Sequence, residues 1–237
     1  MRIPITKYGL PQVVVFPLCG AAAMIGSFFV PIPLVLKVPL ELVLLIMFIW
    51  ALAFFRDPRR RAPADTSLLV APADGRITDI ETVQAESFIG GQALRIGIFL
   101  SIFDVHINRA PCNVQIGKIT YKKGLYKDAR HPDAGKVNES NDLALIRTDE
   151  PRDKLLVRQI SGAIARRIVC EARVGEELRM GQKFGMIKFG SRTELYVPAG
   201  GAVKCLVKIG DKVKAGVTVL AKYESGTVEH KEEAGAV

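Results

Sequence analysis

The sequence predicts a mainly β protein, a β-sandwich or barrel-sandwich-like domain, preceded by an N-terminal α-helical membrane hairpin. Three observations predict it. The chain of 237 residues is 49% hydrophobic with a mean hydropathy of +0.22, and nearly all of the excess lies before residue 56. From Ser67 onward the hydrophobic period is two, as in half-buried strands. The last third carries an internal repeat built from short strands and glycine turns, the habit of all-β domains.

The N-terminal segment opens with Arg2 and Lys7, and Val13 to Val30 then runs without a charge. As a helix, that run is about 27 Å long, close to the roughly 30 Å of a bilayer's hydrocarbon core. Pro31 to Pro39 reads as a proline-rich break, and Leu40 to Phe55 is apolar again apart from Glu41. It ends abruptly at Arg56-Asp-Pro-Arg-Arg-Arg61. Both runs are apolar all round rather than striped, which suits lipid better than a protein core. A signal peptide fits poorly, since a second span follows and no small-residue cleavage site stands out. Basic residues at both outer ends place the N-terminus and everything after Arg56 on the cytoplasmic side of the cell membrane, with Arg59, Arg60 and Arg61 near lipid head groups. The expected division is a hairpin at 1–61 and a domain at 62–237.

Within the domain, Ser67 to Glu81 reads as strand, bend at Pro72–Gly75, strand. Further strands are expected at Leu94–Ser101, Val114–Tyr121 and Asp142–Thr148, with a polar, turn-rich loop over Lys122–Asn141 beside the site or the membrane. Two copies of one pattern follow, from Gly162-Ala-Ile and from Gly201-Ala-Val. Each opens a strand, then places glycines six residues apart, at Gly175 and Gly181 and at Gly210 and Gly216. Val174, Leu178, Ile209 and Val213 are expected to point inward. The pattern resembles the hammerhead half-motif of biotinyl and lipoyl carrier domains in fold only, because the lysine that would carry such a cofactor is absent.

The formal charge is +9, from 33 Lys+Arg against 24 Asp+Glu. No basic helix, zinc-ligand pattern or aromatic–basic motif accompanies it, so nucleic acid is not the expected partner and an anionic membrane is. Cys19, Cys112, Cys170 and Cys205 are scattered, without the C-x-x-C spacing of metal or redox sites, and no metal is expected.

The chemistry is expected around Gly190-Ser191, between the strand-like runs Phe184–Phe189 and Glu194–Pro198. Taken alone, such a pair reads as a bulge in a hairpin. Glycine's missing Cβ also leaves the Gly190 carbonyl open to the neighbouring hydroxyl. Of the three histidines, His230 lies in a charged tail and His131 in the polar loop. His106 follows an apolar strand among Asp104, Asn108 and Arg109. Asp74 sits in a tight Pro-Ala-Asp-Gly bend, where a carboxylate commonly caps its own turn. Asp74, His106 and Ser191 together match the inventory of orienter, base and nucleophile. The hydrolase elbow G-x-S-x-G is absent, so Ser191 is not expected to serve as an external hydrolase nucleophile.

These segments together resemble the phosphatidylserine decarboxylase proenzymes in their short bacterial and archaeal form. The match runs through Phe-Arg-Asp-Pro-Arg-Arg, Ala-Pro-Ala-Asp-Gly, Phe-Leu-Ser-x-Phe-Asp-Val-His-Ile-Asn-Arg-Ala-Pro, Asn138-Glu139 and Phe-Gly-Ser-Arg-Thr-Glu. The resemblance implies self-cleavage between Gly190 and Ser191 into a β chain, 1–190, and an α chain, 191–237, which stay together as a heterodimer; a higher oligomer is left open. It implies a covalent pyruvoyl group (pyruvate) made from Ser191, which forms a Schiff base with the head group of phosphatidylserine in the membrane. Loss of carbon dioxide then gives phosphatidylethanolamine. Asp74 would orient His106, His106 would activate Ser191, and Arg109 and Arg192 would hold the lipid phosphate or carboxylate. Longer family members carry a second histidine where this chain has Arg109, so His106 stands for both self-cleavage and proton handling. Rival readings are an archaetidylserine-type decarboxylase and a non-catalytic membrane-anchored sandwich module.

Overall fold

The computed structural model describes residues 5–85, 87–131, 133–163, 167–188, 190–199 and 203–224; Phe189, the opening Gly201-Ala202 of the second repeat and His230 lie outside them. The chain begins with helices α1 (Leu10–Ser27) and α2 (Leu34–Phe54). The break between them is shorter than the prolines suggest, because Pro39 lies inside α2 rather than before it. As the sixth residue of α2, Pro39 lacks the N–H that would bond the Val35 carbonyl, while its fixed φ suits a helix. Across the turn the Ser27 hydroxyl donates to the Glu41 carboxylate, which gives the one acidic residue of the second run a partner. α2 is long and apolar enough to cross a membrane, while the apolar part of α1, Val13–Ser27, is shorter. Most large side chains of the hairpin face outward, from Leu18 to Ile49.

The strands follow as β1 (Leu68–Val70), β2 (Gly75–Ala85), β3 (Gly91–Leu100), β4 (Ile107–Arg109) and β5 (Val114–Lys122). A one-turn helix α3 (Ala134–Val137) interrupts the polar loop before β6 (Ser140–Arg147) and β7 (Lys154–Ile160). Then come β8 (Ile168–Cys170), β9 (Glu177–Leu178), β10 (Lys183–Ile187), β11 (Ser191–Pro198), β12 (Val203–Cys205), β13 (Lys212–Val213) and β14 (Val219–Tyr223). One curled sheet runs in the order β13-β2-β3-β11-β7-β6-β5-β9, with every neighbouring pair antiparallel. Two small sheets, β1-β14-β12 and β4-β10-β8, accompany it. The main core takes Ile96, Ile98, Leu143, Val157 and Leu195 from the large sheet and Leu69 and Leu220 from the first small one.

The repeat folds as one. Gly175 and Gly181 in the first copy, and Gly210 and Gly216 in the second, all have φ between 70° and 95°. Leu178 and Val213 are buried as expected, but Val174 and Ile209 are each 63% exposed. They precede the turn glycines, at turn tips that project outward. The strand β7 was not foreseen; its inward face is Leu155, Val157 and Gln159, and the polar Gln159 interrupts the apolar alternation.

A second cluster joins the hairpin to the domain: Tyr8, Val13, Phe54 and Phe55 pack with Val105, Ile107 and Met186. The linker after α2 is fastened as well, since Asp57 accepts from Arg109 at 3.1 Å and from Lys183 at 2.6 Å. The base of the hairpin is therefore seated in the domain rather than tethered to it.

Leu195 is fully buried in β11, whereas Leu206 is 49% exposed. Leu195→Ala should lower stability by about 2–5 kcal/mol and Leu206→Ala by about 0.5 kcal/mol or less, measured by denaturant unfolding. Equal costs would contradict this core.

Candidate active site

His106 lies in the short link between β3 and β4, and the link is tied at both ends. Asp104 folds it into a turn: its carboxylate accepts from the Ser101 amide at 2.8 Å, and its own amide donates to the Ser101 carbonyl at 2.9 Å. The Asp104 carbonyl then meets His106 Nδ1 at 2.9 Å. A carbonyl can only accept, so Nδ1 carries the proton and Nε2 keeps its lone pair. That lone pair accepts from the Gly190 amide at 3.3 Å. The ring stacks on Phe54 of α2, centroids 4.4 Å apart, and is wholly buried. Burial disfavours the imidazolium and pushes the pKa down to about 4, so His106 is a neutral base at neutral pH.

Gly190 and Ser191 do not form a hairpin bulge. The run before them, β10, pairs with β4 and β8, while β11 pairs with β3 and β7. The pair is a crossing between two sheets. Gly190 turns the chain there with φ +61°, in the left-handed region. Its carbonyl rests against Gly162, where an added Cβ would lie 2.1 Å from the Gly190 oxygen. Ser191 starts β11 opposite Leu100 and is fully buried, and its Oγ has no hydrogen-bond partner among the described residues. An unsatisfied buried hydroxyl costs stability, and such groups call for an explanation in chemistry. A cavity of about 270 Å³ reaches Gly190, between Ser101–Ile102 on one side and Asp128–Arg130 on the other. The polar loop expected beside the site is thus one of its walls.

The remaining expected residues are placed differently. Asp74 is buried and its pKa is raised by that burial, but its oxygens are held by Arg60 at 2.7 Å and the Ala215 amide at 2.8 Å. The hydrogen bond that orients His106 comes from the Asp104 carbonyl instead. Arg109 and Arg192 are both engaged with acceptors of the chain itself. Arg109 donates to Asp57 and to the carbonyls of Pro58 and Gly181. Arg192 is held between Asp79 at 2.8 Å and Glu194 at 2.9 Å, and alternation along β11 turns it away from the Ser191 face. Three residues that touch this arrangement did not stand out in the sequence: Phe54 read only as membrane helix, Gly162 as the opening of a repeat, and Ile102 as the flank of a strand. Their roles depend on contacts between distant segments, which local patterns do not encode.

A sequence model of the phosphatidylserine decarboxylase family matches residues 47–221. Several relatives carry the name phosphatidylserine decarboxylase proenzyme. That of Rhodopirellula baltica is 39% identical over 226 residues, covering 94% of this chain and 90% of its own. That of Nitrosomonas eutropha is 46% identical over 185 residues, with 78% and 82% covered. That of Carboxydothermus hydrogenoformans is 42% identical over 185 residues, with 78% and 85% covered.

Between the ordinary imidazole pKa of 6.5 and about 4, the unfolded chain binds a proton at His106 that the folded chain refuses. The contribution of this residue to stability should therefore fall as pH drops through that window. His106→Gln should remove that component, seen as a shallower loss of urea-unfolding free energy between pH 6.5 and 4.5. An unchanged slope would mean that His106 is not buried as a neutral ring.

Proposed function

Because the chain belongs to the phosphatidylserine decarboxylase family, we infer that it converts phosphatidylserine to phosphatidylethanolamine and carbon dioxide, using a pyruvoyl group made from its own Ser191. The observation that carries this reading is the buried Ser191 Oγ, without a partner among the described residues, beside the peptide whose amide meets the neutral His106 Nε2. The residues fit the making of such a group. Ser191 Oγ needs a base, and Nε2 needs to change partner by only one residue to take its proton. Gly190 presents a carbonyl without a Cβ in the way, and Gly162 leaves room for it.

On this reading Oγ attacks the Gly190 carbonyl carbon, the peptide C–N bond breaks, and the released proton goes to the Ser191 nitrogen. Removal of the Ser191 Cα proton with departure of the ester oxygen then frees residues 1–190 with a Gly190 carboxylate. The dehydroalanine left at 191 tautomerises, adds water and loses ammonia, so that the 47-residue piece (237 − 190) begins with a pyruvoyl group. That group supplies a ketone for the substrate amine and a sink for the electrons released with carbon dioxide. His106 Nε2 is then placed to move a proton at the substrate's α-carbon. Ile102 and the Asp128–Arg130 turn wall the cavity in which the head group would sit.

Asp74 enters as a positioning residue. It shares one basic cavity with Asp104 and Val105, the residues just before His106, and fixes Arg60 and the Ala215 amide around it. On this reading the hairpin would hold the domain at the cell membrane, supported by the length and apolar character of α2, with the basic flank supporting a cytoplasmic face.

Purified wild-type protein should show two masses, with the break between Gly190 and Ser191 and the shorter piece blocked to Edman degradation. A single intact chain in an active preparation would sink the pyruvoyl reading. Ser191→Ala should stay whole and inactive, and His106→Ala should slow processing by about 10²-fold or more. Asp74→Asn should slow it less than His106→Ala does; an equal or larger effect would make Asp74 a direct participant.

A further inference from the structure

The turn Ser101-Ile102-Phe103-Asp104 carries a feature that the chemistry above does not use. Phe103 is 69% exposed, although the turn beneath it is fixed by two hydrogen bonds of Asp104. The turn is also tied to the membrane helix. Arg56, just after α2, donates to the Phe103 carbonyl at 2.6 Å and to the Ala53 carbonyl at 2.8 Å. Phe103 therefore sits one arginine side chain from the end of the apolar span. On one flank of the turn, Ile102 lines the Gly190 cavity and is the nearest side chain a Gly190 Cβ would meet, at 3.9 Å. On the other flank, Asp104 and Val105 line a cavity of about 460 Å³ with Arg56, Arg59, Lys212 and Lys214. Arg59, Lys212 and Lys214 are exposed, and none has a side-chain partner among the described residues.

We propose that this turn is a second membrane contact, in which Phe103 enters the head-group boundary of an anionic leaflet and sets the Gly190 cavity against that surface. An aromatic ring favours this boundary, where its face is apolar and its surroundings are wet. The uncommitted cations beside it favour an anionic surface, each by an amount that fades within a Debye length. The span fixes the depth, the cations favour the surface, and the turn makes one wall of the cavity at the point of contact. A lipid head group could then reach Gly190 by moving beneath Ile102 without leaving its leaflet. The proposal rests on the reading of Gly190-Ser191 as the reactive centre, and its test is separable from the test of that reading.

The full chain is placed in phosphatidylglycerol nanodiscs, and decarboxylation is measured on long-chain phosphatidylserine in the disc and on monomeric dihexanoyl-phosphatidylserine added from solution. Phe103→Ser should be cleaved normally by intact mass and should keep its rate on the short-chain substrate. Its rate on the long-chain substrate should fall about tenfold, the loss expected for an aromatic ring withdrawn from an apolar boundary, and Phe103→Leu should restore most of it. A Phe103→Trp chain in a Trp50→Phe background should be quenched by lipids brominated near the head group. An unchanged ratio of long- to short-chain rates, or emission insensitive to brominated lipid, overturns the proposal. So does failure of Phe103→Ser to be cleaved, which would place the side chain in maturation. Loss of both rates in the wild type would instead count against the decarboxylase reading.

Discussion

The site depends on the contact between Phe54 and His106. A histidine in water is a weak base that is partly protonated near neutrality. Here the last turn of α2 puts an aromatic ring 4.4 Å from the imidazole and removes it from solvent. Loss of hydration holds the ring neutral, and the Asp104 carbonyl holds its proton on Nδ1, so the free lone pair is aimed at one peptide. The stacking that completes this burial is not available to the domain alone, since Phe54 belongs to the N-terminal hairpin. The hairpin and the His106 pocket are one packing unit. Tyr8, Phe55, Ile107 and Met186 complete it.

The second constraint is the junction of sheets. β10 and β11 are separated by three residues yet belong to different sheets, so the chain between them must change direction and partners at once. Gly190 meets that demand with a left-handed φ, and Gly162 yields the space its carbonyl needs. Ser191 is where the new ladder begins, with its backbone in register against Leu100 and its hydroxyl unmatched among the described residues. A regular hairpin would have bound both residues in a single ladder and left less reason for the hydroxyl to be stranded. The polar groups nearby are satisfied in contrast. Asn141, Gln159, Asn108 and Thr193 form a buried chain of hydrogen bonds across the two sheets.

Much of this was legible in the sequence because it is local. The alternation of Leu94–Ser101 and the paired glycines of the repeat specify strands and turns through backbone preference, and the structure has them. Gly190-Ser191 and His106 stood out through residue type and resemblance, and the fold brings the Gly190 amide to the His106 ring. What was not legible is which groups face one another. Asp74 read as the orienter because carboxylate, imidazole and hydroxyl make a familiar set, but the fold gives its oxygens to Arg60 and Ala215. Arg109 and Arg192 read as anion binders, and in the structure Arg109 meets Asp57 while Arg192 meets Asp79 and Glu194. Val174 and Ile209 read as inward because they are apolar, but they sit at turn tips where geometry overrides hydropathy. Such differences share a cause: pairing across the sheets is decided by topology, which local patterns constrain only weakly.

The place of β11 has a further consequence. It lies in the interior of the large sheet, between β3 and β7, while β13 and β14 of the same C-terminal segment pair with β2 and β1. On the proposed reading, a cut before Ser191 would sever the backbone and leave these ladders in place, so the newborn terminus would stay locked where it was made. The same interlocking sets an order of events. On that same reading, until β11 lies between its neighbours and the hairpin has settled over His106, the peptide to be cut does not exist as a geometry. A nascent or misassembled chain would thus remain inert, and completion of the fold would itself be the trigger.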